Sequence, residues 1–334
     1  MDTQNSHSPI RISVVIPARN SGKTLFACLA SIQSSTVPVH EIVVVSDGST
    51  DNTCAIAKEF GVKLIELNDH HQANYCRNLG AAEAGGDLLM FLDSDVVLGC
   101  DAVRNTLRSM EAGTPDAIVG VYSLRHRHAN EASQYKNLWI RYSYLRKRQF
   151  VDWIFGAIAI IRRDVFEAAG GFDDTLFMHT GGDLELGKRM ANGQPLIFLD
   201  PTVEVEHLKQ HTLRTLLKND FKRSQGFVRL AARLGQLRHS FTRGFVNVYP
   251  AFAYSSLLAW FVLLFLALGI WSVTSFWIGV AALVCYTAIN MPFMIYYTQV
   301  RGFMKVPAAF GIMLLDHLVC GLGCLKGIVR WLFT

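Results

Sequence analysis

Two carboxylates, Asp93 and Asp95, directly follow the apolar run 88–92 in the stretch GGDLLMFLDSDVVL. The run has the length and composition of a buried strand, and it stops abruptly at the first acid. Such a strand delivers both carboxylates to the edge of a sheet, where their charge is available to a ligand. This pair is therefore the first candidate for chemistry in the sequence.

Two other polar segments stand in the same relation to predicted strands. PARN follows the β-branched run 12–16, and SDGSTDNT follows the run 41–45. A third short strand is predicted at 63–67, and helices are predicted between the strands, one with Ser21 as its cap and one over 74–84. This alternation predicts a mostly parallel sheet with helices on both faces, in which ligands bind beyond the carboxyl ends of the strands. The three polar segments therefore predict one shared site.

Four stretches, taken together and in this order, resemble the family-2 glycosyltransferases, which have the GT-A fold. They are VVIPARN, VVSDGSTDNT, RNLGAAEAGGDLLMFLDSD and GGFDDTLFMHTGGDLELGKRM, and they cover about residues 12–207. The resemblance implies an inverting transfer of a sugar from a nucleotide diphosphate sugar to an acceptor hydroxyl or phosphate. In such a reaction the leaving diphosphate gains charge as the bond between the sugar and its oxygen breaks.

The resemblance implies that a divalent metal, Mn²⁺ or Mg²⁺, offsets this charge, held by one or two carboxylates and the phosphate oxygens. In the Asp-x-Asp motif, Asp95 is the expected metal ligand, and Asp93 is expected at the metal's waters or the ribose. His207, at the end of FLDPTVEVEHL, is the third candidate ligand. A structural role for this histidine remains the alternative, and His211 is a weaker candidate.

The resemblance also implies a pocket for the nucleotide sugar. Asp47 would contact the base or ribose, Arg77 would hold the base or diphosphate, and the glycine in FGAIAI would allow close approach of the sugar. Ser46 stands where the family commonly has a first Asp, which affects the base contacts. The implied donor-binding residues are Pro17, Ala18, Asn20, Asp47, Arg77, Asp93, Ser94, Gly156 and Ala157.

An acceptor hydroxyl needs a base, and the resemblance assigns this role to Asp183 in TGGDLELGKRM. A carboxylate at the start of a helix is also favoured by the helix dipole alone, which is the structural alternative. Gly182 occupies the position where the family has Glu. This departure concerns acceptor binding more than removal of the proton.

A membrane-spanning part follows the predicted catalytic domain, residues 1–207. No Asp, Glu, Lys, Arg or His occurs in 244–300, and a bilayer crossing takes about 20 apolar residues. Two transmembrane helices are therefore predicted, at 249–271 and 276–297. The flanking cations Arg243, Arg301 and Lys305 and an N-terminus without a signal pattern predict an inner or plasma membrane protein whose catalytic domain faces the cytoplasm.

Two further segments are predicted to associate with the membrane. Residues 208–243 contain nine Lys/Arg and a single acid, with apolar residues at helical spacing, which is typical of an amphipathic helix on an anionic membrane surface. An ordinary helix packed on the domain remains the alternative. No nucleic-acid partner is expected, because the net positive charge of the chain is concentrated in this juxtamembrane segment. Residues 301–334 predict a third helix, either interfacial or re-entrant or a crossing, because Asp316 and His317 lie in its middle.

The acceptor is expected to be a lipid-linked or glycolipid molecule, presented at the membrane. The basic, aromatic segment 125–150 would suit an anionic acceptor such as a lipid phosphate, through Arg141, Arg146, Lys147 and Arg148. A solvated amphipathic helix is the alternative. A processive polysaccharide synthase is disfavoured because SQGFVRLAARLG lacks the Gln-x-x-Arg-Trp of such enzymes. A membrane scaffold that binds nucleotide sugar without turnover and a nucleotidyltransferase remain as further alternatives.

Overall fold

The computed structural model describes residues 10–113, 115–146, 149–175, 181–194, 196–245 and 248–333, without the side chains of 239–241. The chain divides into two compact units. The first comprises 1–123, 148–176 and 182–208, and the second comprises 124–147, 177–181 and 209–334. The segment 124–147, which lies inside the predicted catalytic domain, thus clusters with the second unit.

The described elements alternate between strands and helices until His207 and are helical afterwards. In chain order they are β1 (Ile12–Ala18), α1 (Leu25–Gln33), β2 (Glu41–Asp47), α2 (Thr53–Glu59), β3 (Lys63–Leu67), α3 (Ala73–Glu83), β4 (Leu88–Leu92), β5 (Val96–Leu98), α4 (Ala102–Gly113), β6 (Ala117–Tyr122), α5 (Glu131–Leu145), β7 (Phe150–Val151), β8 (Ile158–Arg162), α6 (Arg163–Ala168), α7 (Gly182–Asn192), β9 (Ile197–His207), α8 (Leu213–Arg233), α9 (Leu237–Thr242), α10 (Pro250–Leu268), α11 (Val273–Arg301) and α12 (Val306–Leu332).

The strands of the first unit form one sheet in the order β3-β2-β1-β4-β8-β6-β9-β5, with β7 also paired to β9. The first four strands of the chain are mutually parallel, as predicted. β8 runs antiparallel to both β4 and β6, and β5 and β7 run antiparallel to β9. The sheet as a whole is therefore mixed, because the strands after β4 return in both directions.

β1 continues through Pro17 to Ala18, two residues beyond the predicted end of the strand. The pairing of β1 with β4 stops at Val15, whereas its pairing with β2 continues to Ala18. A residue without an N–H is tolerated here because only one neighbouring strand flanks it. The helix that follows begins at Leu25 with Thr24 at its N-cap, so Ser21 is not the cap that the sequence predicted.

Two glycines set the helices that carry candidate site residues. A Cβ on Gly80 would lie 2.5 Å from Val15 Cγ1, so α3 lies directly on β1 at this point. A Cβ on Gly187 would lie 2.3 Å from Trp153 Cα, so α7 is equally close to the backbone there. Arg77 and Asp183 are three and four residues earlier, on the same helix faces. The two close approaches therefore fix the positions from which these side chains extend.

The second unit is helical, and three helices of its described part are long and apolar enough to cross a membrane: Pro250–Leu268, Val273–Arg301 and Phe303–Leu332. The first two correspond to the predicted crossings. Asp316 and His317 lie in α12 but are buried in the unit. Tyr135 donates to Asp316 Oδ2 at 3.2 Å, and Tyr286 Oη lies 2.7 Å from His317 Nδ1. Both polar side chains thus have partners inside the unit, as expected for such groups in a membrane segment.

The predicted basic amphipathic segment is mostly α8, which starts with a capping box formed by Thr212 and Thr215. Its apolar face is covered by protein. A Cβ on Gly323 would lie 2.6 Å from the Phe221 carbonyl, so α8 and α12 are in close contact. Basic side chains such as Lys222 remain exposed. The apolar face of α8 therefore packs within the unit, and only its exposed basic side chains are available to contact an anionic membrane surface.

Candidate active site

Asp93 and Arg77 form the centre of the candidate site in the first unit. Arg77 Nη2 donates to Asp93 Oδ1 at 2.7 Å, and the arginine is buried. Burial raises the pKa of Asp93 to about 6, Arg77 opposes the shift, and Asp95 and Asp183 add to it by charge repulsion. Within the described residues, Arg77 Nε has no hydrogen-bond partner. This buried guanidinium therefore retains a donor beyond those that hold the acid.

Asp95 and His207 form a second pair. His207 Nε2 lies 3.3 Å from Asp95 Oδ2, and the imidazole stacks on Tyr122 with ring centroids 4.9 Å apart. The backbone holds the same arrangement, because Val96 pairs with His207 between β5 and β9 and Leu208 N donates to the Asp95 carbonyl at 2.8 Å. A carboxylate oxygen and an imidazole nitrogen are thus presented side by side.

Asp183, the first acid of α7, lies in the same region as Arg77. Its Oδ2 accepts from Gly156 N at 2.8 Å, and its Oδ1 accepts from Leu184 N at 3.0 Å. A Cβ on Gly156 would be 3.0 Å from Asp183 Oδ2 and 3.3 Å from Arg77 Nη2. Gly156 is therefore the place where the carboxylate and the guanidinium come together, and a larger residue would enter the space between them.

The three predicted polar segments are connected by hydrogen bonds. Asn20 accepts from Thr50 N at 2.8 Å through its side-chain oxygen, with its own backbone at φ 48°. Ser94 shares a 2.8 Å hydrogen bond with Ser21. Asp93 N donates to the Ala157 carbonyl at 3.4 Å. Asn20, Ser94 and Ala157 thus lie at one edge of the sheet.

Pro17 and Ala18, which the sequence places in the nucleotide pocket, belong to β1. They pair with Val45 and Ser46 of β2. The Ala18 side chain is buried. Any contact that these two residues make to a nucleotide would therefore come mainly from their backbone and from Pro17.

Asp47 is buried, and its carboxylate is already engaged within the protein. It accepts from His71 N at 2.7 Å and from Gln72 N at 3.0 Å, and His70 Nδ1 lies 2.6 Å from its Oδ2. Burial alone would raise the pKa of Asp47, but these hydrogen bonds outweigh it and lower the pKa. The acid therefore holds the backbone of 70–72, where Gln72 has a φ of 84°.

Sequence reasoning missed several residues at this site. Asn74 fills the space beside Gly182, where an added Cβ would lie 2.1 Å from Asn74 Nδ2. Asn74 also donates to the Asp173 carbonyl at 2.9 Å. Its position three residues before Arg77 on one helix was the available signal. Tyr122 and Ser21 gave no such signal, because their partners are distant in the chain.

The described residues contain no group of three or more His, Cys, Asp or Glu side chains arranged to hold a metal. Asp95 and His207 remain a pair of candidate ligands. His211 belongs to the second unit, where its backbone N–H donates to Ser133 Oγ at 2.8 Å. Lys147, Arg148 and residues 176–180 of the predicted family stretch lie outside the described residues.

Comparison with protein families gives a match to the model of glycosyl transferase family 2 over residues 13–170. Among curated proteins, glycosyltransferase AglE of Haloferax volcanii is 26% identical over 231 residues, covering 66% of this chain and 73% of the relative. Glycosyltransferase GlyG of Streptococcus pneumoniae is 31% identical over 116 residues, which are 33% of this chain and 38% of the relative. A 4,4'-diaponeurosporenoate glycosyltransferase of Staphylococcus haemolyticus is 39% identical over 93 residues, 26% of this chain and 24% of the relative.

Two solved structures share the fold. The mannosyltransferase PcManGT from Pyrobaculum calidifontis, in complex with GDP-Man and Mn²⁺, has a TM-score of 0.59 and 16% identity, covering 95% of this chain and 87% of that one. TarS 1–349 from S. aureus has a TM-score of 0.50 and 15% identity, covering 96% and 92% of the two chains. The predicted GT-A fold class is thereby confirmed.

Proposed function

Because residues 13–170 form a family-2 glycosyltransferase domain, we propose that this glycosyltransferase moves one sugar from a nucleotide diphosphate sugar to a lipid-linked or glycolipid acceptor at a membrane. The observation that carries the proposal is the meeting of Arg77, Gly156 and Asp183 beside Asp93. A buried cation and a carboxylate that keeps free lone pairs are the two groups that a donor diphosphate and an acceptor hydroxyl require.

Asp183 is the proposed base. Each of its oxygens accepts one backbone N–H, from Gly156 and Leu184, so each keeps a further lone pair for a proton. As the acceptor oxygen attacks the anomeric carbon from the face opposite the leaving group, its proton passes to Asp183 and the nucleoside diphosphate departs with the bonding electrons. The configuration at the carbon is thereby inverted. An acceptor phosphate would attack without this proton transfer.

Mn²⁺ fits the donor set of Asp95 and His207, a carboxylate oxygen and an imidazole nitrogen. Mg²⁺ would be held by the Asp95 carboxylate without the imidazole, because it prefers oxygen ligands. The likeness to a fold that holds GDP-Man and Mn²⁺ in PcManGT supports the choice of Mn²⁺. When bound, the ion would offset the charge of the leaving diphosphate. The positive charge of Arg77 would also offset the charge of the leaving diphosphate, and its hydrogen bond keeps Asp93 oriented. The Tyr122 ring fixes the plane of the His207 imidazole by stacking on it.

The membrane location rests on three helices of the described part that could span a bilayer. One relative is by name a 4,4'-diaponeurosporenoate glycosyltransferase, which supports a lipophilic acceptor. The cations Arg243, Arg301 and Lys305 at the ends of the apolar segments support a cytoplasmic catalytic domain. In this proposal, residues 1–207 act as the catalytic domain and 208–334 as the membrane part.

The test is donor hydrolysis and transfer from UDP-, GDP- and dTDP-sugars by detergent-purified protein with Mn²⁺ and a lipid extract. Asp95→Ala is expected to abolish metal-dependent donor binding. Asp183→Asn is expected to keep donor binding but lose transfer to an acceptor hydroxyl, whereas transfer to an acceptor phosphate would continue because it needs no base. Asp101→Ala, an exposed acid outside the site, is the matched control. Saturable donor binding without any cleavage would favour the membrane scaffold that binds nucleotide sugar without turnover. Products whose sugar chain lengthens with time would favour a processive synthase.

A further inference from the structure

A cavity lies inside the second unit, enclosed mainly by α5, α8, α10 and α12, with a volume of about 320 Å³. Most of its lining is apolar and aromatic, including Trp139, Ile140, Phe227, Phe252, Leu257 and Leu325. Its size is within the range of roughly 300–1,000 Å³ that is common for ligand pockets. A ligand that fills it would therefore need a substantial apolar body.

The cavity is elongated. On α5, the lining residues run from Lys136 to Arg146, a rise of about 15 Å at 1.5 Å per residue. On α12, they run from Asp316 to Ile328. An apolar lining that extends this far along two helices suits an extended hydrocarbon chain better than a compact ring system. Because α10 and α12 are candidate membrane spans, such a chain would enter from lipid.

One end of the lining on α5 carries a cation with an exposed side chain. Arg146 donates to Tyr142 Oη at 3.2 Å, and its guanidinium lies 4.9 Å from the centroid of the Tyr249 ring. All three residues line the cavity. Among the described residues, Arg146 has no acidic partner within ion-pair distance. Its charge therefore remains available to an anionic group.

The other charged side chains of the lining are Lys136, Asp220, Arg223 and Asp316. Lys136 Nζ donates to both oxygens of Asp220, at 2.7 and 2.6 Å, and this pair is buried. Asp316 is buried as well, and Arg223 acts on the charge of Asp220. The lining thus holds two cations and two acids besides Arg146, which is the cation left at its end. The ligand that complements the lining has a long apolar body and one anionic end.

We propose that this cavity binds the chain of a lipid phosphate, with Arg146 at the phosphate, and that this lipid is the acceptor of the proposed transfer. The inference rests on the proposed function for the acceptor role only. Two sources share this chemistry, an isoprenoid lipid phosphate and a phosphoglyceride of the bilayer, and the test separates them.

The test measures binding of a polyisoprenyl phosphate to the purified full chain, by native mass spectrometry and by titration. Ala253→Phe on α10 adds a ring to the lining and is expected to weaken binding about tenfold or more, as for the loss of about 1.4 kcal/mol. Ala267→Phe, on the same helix but exposed and outside the lining, is the matched control. Thermal unfolding shows whether each variant is folded.

Arg146→Gln is the second variant, and it leaves the cavity volume nearly unchanged. It is expected to weaken the lipid phosphate about five- to tenfold and to leave the corresponding neutral alcohol unaffected, since only the charge-assisted contact is lost. Arg108→Gln, an exposed arginine of α4, is the control. The inference would be overturned if Ala253→Phe and Arg146→Gln both bound the lipid phosphate as tightly as the wild type does. It would also be overturned if the control variants weakened binding equally.

Competition identifies the source of the lipid. Displacement by polyisoprenyl phosphate but not by phosphatidic acid or inorganic phosphate is expected. Equal displacement by phosphatidic acid would make the occupant a bilayer lipid and overturn the acceptor role. Donor turnover by the wild-type chain in the same preparation tests the proposed function separately. If lipid binding depends on Ala253 and Arg146 but no donor is turned over, the cavity assignment stands and the proposed transfer is refuted.

Discussion

Gly182 and Asn74 are expected to be strongly coupled. A Cβ on Gly182 would lie 2.1 Å from Asn74 Nδ2 and 2.8 Å from its Cγ, whereas ordinary contacts begin at 3.4 Å. In Gly182→Ala the amide therefore has to withdraw by more than an ångström. That movement breaks its 2.9 Å hydrogen bond to the Asp173 carbonyl and its 3.4 Å contact with Arg77 Nη1.

Leaving a partly buried carbonyl unsatisfied costs about 1–3 kcal/mol, and replacing Gly by Ala near a helix start returns a part of this, up to about 1 kcal/mol. We therefore expect Gly182→Ala to lower the free energy of unfolding by about 1–2 kcal/mol, or about 2–8 °C in Tm for a unit of this size. Asn74→Ala loses the same hydrogen bond and also leaves the Asp173 carbonyl without the Asn74 donor, so a loss of about 1–3 kcal/mol is expected from it as well.

The double variant Asn74→Ala/Gly182→Ala is the decisive measurement. Without the amide, the new methyl group has space, so the double variant should be no less stable than Asn74→Ala alone. The coupling free energy would be about 1–2 kcal/mol, well above the 0.3–0.5 kcal/mol or so of independent sites. Thermal unfolding in detergent gives all four stabilities. Additive losses, or a Gly182→Ala variant as stable as the wild type, would refute the steric argument.

Three further outcomes are expected. Gly187→Ala should reduce transfer at least about tenfold while the protein stays folded. Its Cβ would lie 2.3 Å from the Trp153 backbone and displace α7, and a misplacement of about 1 Å is enough for such a loss. Single-turnover transfer rates test this expectation. Lys136→Met should cost about 3–5 kcal/mol of stability by leaving Asp220 buried without its partner, and Lys136→Met/Asp220→Leu should recover much of it, as read from thermal unfolding. The pKa of Asp47 is lower in the folded protein than its usual value of 3.8. This difference stabilises the fold at pH values above 3.8, and the stabilisation is lost as the pH falls through the pKa of the folded state. Asp47→Asn should therefore flatten the loss of stability below about pH 4, as measured by unfolding at several pH values.

The sequence predicted the parallel first half of the sheet and the meeting of three polar segments at its edge, because both depend on local patterns. The run 88–92 is bounded by polar residues on both sides and is a strand with those limits. The three polar segments come together because carboxyl ends of parallel strands share one edge. Such arguments use only the order and the composition of neighbouring residues.

The remainder depends on partners that are distant in the chain. The antiparallel pairing of β8 with β4 joins residues about seventy positions apart, and no local pattern specifies it. Asp47 was assigned to the ligand because of its motif, yet its bonds go to residues 23–25 positions later. The cost of Asp316 and His317 in an apolar helix was clear from composition, whereas Tyr135 and Tyr286, which compensate for it, were not.

Tyr122 and His207 are the last residues of two strands of the first unit, and their side chains are in contact. β6 ends at Tyr122 and leads to α5, and β9 ends at His207 and leads to α8. The two side chains stack on each other with nearly parallel rings, 9° apart. The orientation of the candidate metal ligand His207 therefore depends on the Tyr122 ring as well as on its own strand.

Tyr122→Leu is therefore expected to act on the candidate metal site. Loss of the stacked ring should weaken Mn²⁺ binding about tenfold, in the range found when groups that orient a metal ligand are removed. Mn²⁺ titration measures this effect, with Phe26→Leu, an exposed aromatic of α1, as control. Unchanged Mn²⁺ binding in Tyr122→Leu would show that the strand pairing of His207 orients the imidazole without the stacked ring.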